Sequence, residues 1–184
     1  MQDLAHLYQC ASGPEGRRPA VTSATAPARA GSAEDWVAGF ADGWRTPSGP
    51  EAFASHFRGM LAADVRLIQP QLPTIVGYRG FEEQFVKPLF TLIPDLHADV
   101  ERWASRGETL YIELTLRGTL AGRSLQWRAC DRITLRDGIA VERESYFDPA
   151  PLIRAVAMTP RAWPQFLRLQ ARRLADNLSR RSRR

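Results

Sequence analysis

Leu125-Gln126-Trp127-Arg128-Ala129-Cys130-Asp131-Arg132-Ile133-Thr134-Leu135 is the stretch on which the fold reading turns. Every second residue from Leu125 is apolar except Asp131. The other phase, Ser124, Gln126, Arg128, Cys130, Arg132, Thr134 and Arg136, is mostly polar. Successive side chains on a strand point to opposite faces, so the pattern predicts a strand with one buried face. It also places a single carboxylate among apolar neighbours. Such a group must be paired, protonated or chemically employed, because an unpaired buried charge is expensive.

Strand-like stretches surround this one. His97–Trp103 and Thr109–Thr119 precede it and Ile139–Phe147 follows. Gly107, Gly122 and Asp137-Gly138 mark the turns between them. Further upstream, Val65–Gln69 reads as a strand and Thr74–Tyr78 as a short second one, separated by a loop at Pro70–Pro73. Before these, Ser32-Ala33-Glu34-Asp35 has the form of a helix cap, and Trp36, Phe40 and Trp44 follow at spacing four. Pro50 opens a second helix whose buried stripe is read as Phe53, His56, Phe57, Met60 and Leu61. Gly80–Leu92 is a third, with Pro88 expected to bend it or end its regular part. Pro149-Ala150-Pro151 reads as a turn, and a last helix is expected over Arg161–Asn177.

This order predicts an α+β layer fold. A curved, mixed, mostly antiparallel β-sheet packs on three N-terminal helices, with an extra C-terminal helix. The domain spans residues 32–157. Residues 1–31, rich in Ala, Pro, Gly, Ser and Arg, read as a disordered arm, helical at most near Leu4–Tyr8. Residues 158–184 form an Arg-rich amphipathic helix and tail.

Bulk properties narrow the function classes. The chain has 184 residues and a 44% apolar fraction, enough for one sizeable core. Of its 25 basic and 20 acidic residues, eight Arg and one Asp lie from Pro160 onward. The basic pI therefore belongs to the tail, and nucleic-acid binding by the domain is not expected. Cys10 and Cys130 suggest neither a metal site nor a disulfide framework. No metal-ligand spacing, Gly-rich phosphate loop or G-x-S-x-G elbow is present, so no cofactor and no metal are expected. No stretch reads as a membrane span or a secretory signal, which makes the cytoplasm the expected location.

Local patterns carry a resemblance. They are Pro70-Gln71-Leu72-Pro73-Thr74-Ile75-Val76-Gly77-Tyr78, Ile93-Pro94-Asp95, Gly107-Glu108, Gly118-Thr119, Asp131 through Arg136-Asp137-Gly138, and Tyr146-Phe147-Asp148-Pro149. In this order they resemble the SnoaL-like branch of the nuclear transport factor 2-like superfamily over roughly residues 33–157. The resemblance implies a cone-shaped domain, a small apolar ligand and a homodimer. It also implies pocket carboxylates near Asp131 and Asp148. The superfamily mixes polyketide cyclases, isomerases, epoxide hydrolases, dehydratases and non-catalytic proteins, so the fold alone does not settle the chemistry.

The candidate catalytic residues are Asp131, Asp148, Tyr146 and His56. Asp131 in an apolar pocket is a usable proton-transfer group, as a pocket carboxylate is in ketosteroid isomerases. Its bland alternative is an ion pair with Arg143 or Arg128. A three-residue loop at Arg136–Gly138 puts Arg143 beside Asp131. A two-residue turn at Asp137-Gly138 brings Glu144, Tyr146 and Asp148 to its face; the apolar pairing of Leu135 with Ile139 favours the first register, and a bulge could restore the second near the strand end. Asp148 serves equally as a turn cap, Tyr146 as a half-buried strand residue, and His56 as a satisfied core histidine. Candidate ligand contacts are Trp44, Gln69, Gln71, Tyr78, Phe85 and Trp127. The limonene epoxide hydrolase type needs an Arg-x-Asp triplet on a middle strand, which Tyr111–Arg117 lacks, so epoxide hydrolysis is disfavoured. No match to the ketosteroid isomerase oxyanion pair is present, so steroid isomerisation is not carried over.

These residues predict a cofactor-independent isomerase, cyclase or lyase acting on an apolar carbonyl-bearing ligand. The alternative is a non-catalytic ligand-binding or dimerisation module. The outward strand phase with Tyr111, Thr115 and Arg117 would supply part of a dimer interface. In the tail, Trp163, Phe166, Leu167, Leu174 and Leu178 lie at helical spacing among arginines. Contact with a membrane surface is the minor reading of that helix, and packing on the domain or a partner the major one.

Overall fold

The computed structural model describes residues 30–70, 72–164 and 167. Two helices come first, α1 (Ala30–Arg45) and α2 (Pro50–Phe57). Strands β1 (Leu61–Ile68) and β2 (Ile75–Val76) follow. Then α3 (Tyr78–Gly80), a π-helical segment (Phe81–Val86) and α4 (Lys87–Leu92) run on from one another in helical conformation. Four long strands complete the sheet: β3 (His97–Arg106), β4 (Thr109–Leu120), β5 (Arg123–Arg136) and β6 (Ile139–Tyr146). A short helix, α5 (Ala150–Ala157), and a 3-10 turn at Pro160–Ala162 follow.

The six strands are ordered β2-β1-β6-β5-β4-β3. Only β1 and β6 pair in parallel. β2 pairs antiparallel with β1, and β3 to β6 form an antiparallel meander linked by two-residue turns. Ala121-Gly122 and Asp137-Gly138 make the last two of those turns with positive φ at both residues, the backbone that continues the strands' right-handed twist.

One face of the sheet carries Val65, Leu67, Leu110, Ile112, Leu114, Leu116, Ile133 and Leu135. All are buried in one cluster with the aromatic residues of the helices. Phe53 sits at the centre of that cluster. Its ring centroid lies 4.7 Å from Trp44, 4.8 Å from Phe57 and 5.2 Å from Phe90. The helices approach closely at Gly43, where an added Cβ would come within 2.6 Å of His56 and 2.7 Å of Phe57. Glycine is required there by space rather than by conformation.

The α+β order and mixed sheet agree with the sequence reading. Several local expectations need correction. Helix α1 begins at Ala30, so Ser32 is its third residue rather than its cap. The segment Thr74–Tyr78 forms only two strand residues, since Gly77 takes φ +78° and Tyr78 already opens a helix. Pro88, expected to bend the helix or end its regular part, does not end the helical run. It lies where the π-helical segment gives way to α4, so the irregular stretch of the helical run directly precedes it. Pro149-Ala150-Pro151 leads directly into α5, because Pro151 occupies a first turn. Thr115 is buried and donates to Glu101 at 2.6 Å, so the outward phase of β4 is not wholly exposed. The arm before residue 30, Gln71, and most of the expected Arg161–Asn177 helix lie outside the described residues.

Candidate functional site

The site is set by how β6 is registered on β5. The Asp137-Gly138 turn pairs Arg136 with Ile139 and Leu135 with Ala140. The pairing then shifts, and Thr134 faces Glu142. Val141 is therefore the extra residue of a bulge, which turns every later side chain of β6 to the opposite face. Arg143, Ser145 and Phe147 come to the inner face as a result. Glu142, Glu144 and Tyr146 go to the outer one.

Asp131 is fully buried, at 0% exposure. Ser145 lies directly opposite it and donates from Oγ to Asp131 Oδ1 at 2.5 Å. Arg143, diagonal on the same face, donates from Nε to Asp131 Oδ2 at 2.7 Å. Both carboxylate oxygens are thus engaged, by a cation and by a hydroxyl. The Arg143 guanidinium also lies 5.1 Å from the ring centre of Phe85 and 5.9 Å from that of Trp44. Aromatic faces attract a cation, so the ring positions help hold the arginine.

Beside this pair is a cavity of about 190 Å³. Its walls are mainly apolar, from Trp44, Phe85, Leu116, Trp127, Ala129 and Phe147. Gln69, Gln84, Arg143 and Ser145 supply the polar lining. Asp131 itself does not line it; the carboxylate lies behind Arg143 and Ser145. The Gln69 side-chain Nε2 is buried with no hydrogen-bond partner among the described residues. Of the bonds from Arg143, only the one from Nε is made to a described residue, which leaves the terminal nitrogens as further donors. An unmade hydrogen bond on a buried donor costs about 1–3 kcal/mol, so a ligand acceptor here would be rewarded.

The other sequence-predicted residues separate clearly. Trp44, Gln69, Phe85 and Trp127 line the cavity. Tyr78 does not. Its hydroxyl donates to the Ala54 carbonyl at 2.5 Å and Arg58 stacks on its ring, so it fastens α3 to α2. Burial is the main cause that raises the phenol's pKa, with nearby Glu82 adding to it. His56 is exposed rather than part of a buried stripe. Its Nε2 lies 2.8 Å from the Gly39 carbonyl, which requires the proton on that nitrogen and ties α2 to α1. Tyr146 is 48% exposed on the outer face, where hydrogen bonding with Glu144 pushes its pKa up. Asp148 is exposed and accepts from the Ala150 backbone N–H at 2.9 Å, closing the turn into α5. The bulge is the physical reason that Tyr146 and Asp131 face apart.

Sequence reasoning treated Arg143 only as a possible partner of Asp131 and passed over Ser145, Gln84 and Phe147. The register that pairs Leu135 with Ile139 already puts Arg143, Ser145 and Phe147 on the face of Asp131, whereas Gln84, on the π-helical segment, left no such signal.

Comparison with known proteins agrees with this architecture. Residues 54–143 match the family model of the SnoaL-like domain. A provisionally assigned SnoaL-like polyketide cyclase from Jannaschia sp. CCS1 superposes with a TM-score of 0.62 at 20% identity, covering 74% of this chain and 98% of that one. An LEH-like epoxide hydrolase from M. tuberculosis superposes with a TM-score of 0.55 at 15% identity, covering 70% and 91%. At these identities the likeness is one of fold. The enolase-phosphatase E1 of Sclerotinia sclerotiorum is 35% identical over 85 residues, which are 44% of this chain and 31% of that protein. The chain spans about a third of the length of the curated relatives it matches. Over residues 54–143 the chain is similar to the SnoaL-like domain, and its architecture is that of the nuclear transport factor 2-like fold.

Proposed function

We propose that the cavity binds a mostly apolar small molecule through a carbonyl or similar acceptor oxygen, which Arg143 and Gln69 meet with N–H donors. The observation that carries this reading is Gln69 Nε2, buried in the same cavity wall as Arg143 with no hydrogen-bond partner among the described residues. The Asp131–Arg143 pair is neutral as a whole, so a neutral acceptor fits beside it better than a second full carboxylate. The test is titration of the protein with cyclic ketones, followed by tryptophan fluorescence. Gln69→Leu keeps the shape of the wall but removes the donor. It is expected to weaken binding about tenfold, corresponding to one lost hydrogen bond in a dry site. Equal affinity in wild type and variant would remove Gln69 from the account.

Catalysis is the finer form of the same reading, and one contact favours it. Ser145 lines the cavity and donates to the buried carboxylate. A proton removed from the carbon next to the ligand carbonyl could pass to the Ser145 oxygen as the Ser145 proton passes to Asp131. Arg143 would meanwhile stabilise the charge that develops on the ligand oxygen. This is the chemistry of a cofactor-independent isomerase, cyclase or lyase. It differs from the sequence reading in making Asp131 an acceptor reached through Ser145, with no part for Tyr146, Asp148 or His56. Solvent deuterium should enter the bound ketone next to its carbonyl, and Ser145→Ala should slow that exchange at least a hundredfold while leaving binding intact. No exchange in the wild type would leave the non-catalytic binding module as the reading.

The proposal includes a cytoplasmic homodimer formed through the outer sheet face, where Tyr111 and Tyr146 are exposed. No helix among the described residues is long and apolar enough to cross a membrane.

A further inference from the structure

The cavity beside Arg143 shares part of its wall with another space. A second, larger recess of about 450 Å³ adjoins it under α5, and its lining surface is wholly apolar. Leu89, Leu92, Trp127 and Leu152 line both spaces. Four shared side chains form an apolar wall common to both spaces, with Gln69 and Arg143 on the inner side and Ile153, Val156 and Trp163 on the outer. The outer end is open, with Ile153 52% and Trp163 47% exposed. Apolar surface left in water at that end is a standing cost that an apolar occupant would relieve.

We propose that the ligand is an elongated amphiphile, with an oxygen-bearing head in the inner cavity and an alkyl or polycyclic tail running past Trp127 into the groove under α5. This rests on the head-group reading above and adds the ligand's length and shape. The alternative occupant of the groove is the chain's own segment beyond Leu167, which carries Leu174 and Leu178. That segment would compete with a ligand tail and leave affinity independent of its length.

Straight-chain methyl ketones from hexanone to tetradecanone distinguish these cases. With the full chain, affinity is expected to rise roughly two- to fourfold per added methylene, the range that partial to full burial of a methylene gives. The rise should continue past the length that fills the inner cavity. Ile153→Glu places a charge in the groove alone, at a half-exposed position that the fold tolerates. It should flatten the length dependence while leaving hexanone binding unchanged. If hexanone binds but longer ketones gain nothing, the extended site is overturned and the head-group reading stands. If no ketone of any length binds, the head-group reading itself fails, and this inference with it. If long ketones bind equally well to Ile153→Glu, the tail lies elsewhere and the inference is likewise overturned.

Discussion

Asp131→Asn is expected to destabilise the folded protein by about 3 kcal/mol, the scale on which a buried ion pair reports the loss of one partner. Asn keeps the shape and one acceptor oxygen but leaves the Arg143 charge uncompensated, with only 13% of that side chain exposed. It also turns an amide toward Ser145, whose hydroxyl now donates to the carboxylate. The opposite result, stabilisation near neutral pH, would mean that the carboxylate is an uncompensated cost and that the pairing with Arg143 is energetically empty. A double variant, Asp131→Leu with Arg143→Met, sharpens the point. Removing both charges should cost less than removing Asp131 alone, because no orphaned ion remains. Urea unfolding of the two single variants and the double variant measures this directly.

The second large effect belongs to the aromatic core. Phe53→Ala is expected to cost about 3–5 kcal/mol, since it removes transfer free energy and leaves a cavity among stiff neighbours. Phe53 is 2% exposed and touches rings from α1, the π-helical segment and α4. Three separate elements would have to move to fill the space, so little of the loss can be recovered by relaxation. A loss below 1 kcal/mol in denaturant titration would contradict the placement of this ring at the core's centre.

Both effects trace to features that were unequally visible in the sequence. The aromatic stripe of α1 at Trp36, Phe40 and Trp44 was plain, because a period of 3.6 residues survives any small error in the helix start. The strand face of β5 was equally plain, and Asp131 stood out on it. Arg143 could be named as a partner of Asp131, but the register that brings it there could not be fixed. That depends on Val141, one bulged residue whose type carries no special backbone preference, and one residue of shift exchanges the inner face of β6 for the outer. Gln69 was found from its place beside Pro70 in a loop, whereas its lack of a partner is a property of the packed wall alone. His56 misled for a simpler reason. Its spacing matched the buried stripe, but it lies at the margin, where Gly43 lets the helices approach and the ring finds the Gly39 carbonyl.

The central claim is that an oxygen-bearing apolar molecule enters the cavity between Trp44, Trp127, Gln69 and Arg143. The measurement that tests it most directly is two-dimensional nitrogen–proton NMR during titration with a cyclic ketone, read at the indole and side-chain amide signals. The account predicts saturable shifts at Trp44, Trp127 and the Gln69 amide, with Trp103 on the edge strand β3 unmoved. Shifts confined to Trp103 or to backbone signals of the outer sheet face, with the Gln69 amide unchanged, would contradict it.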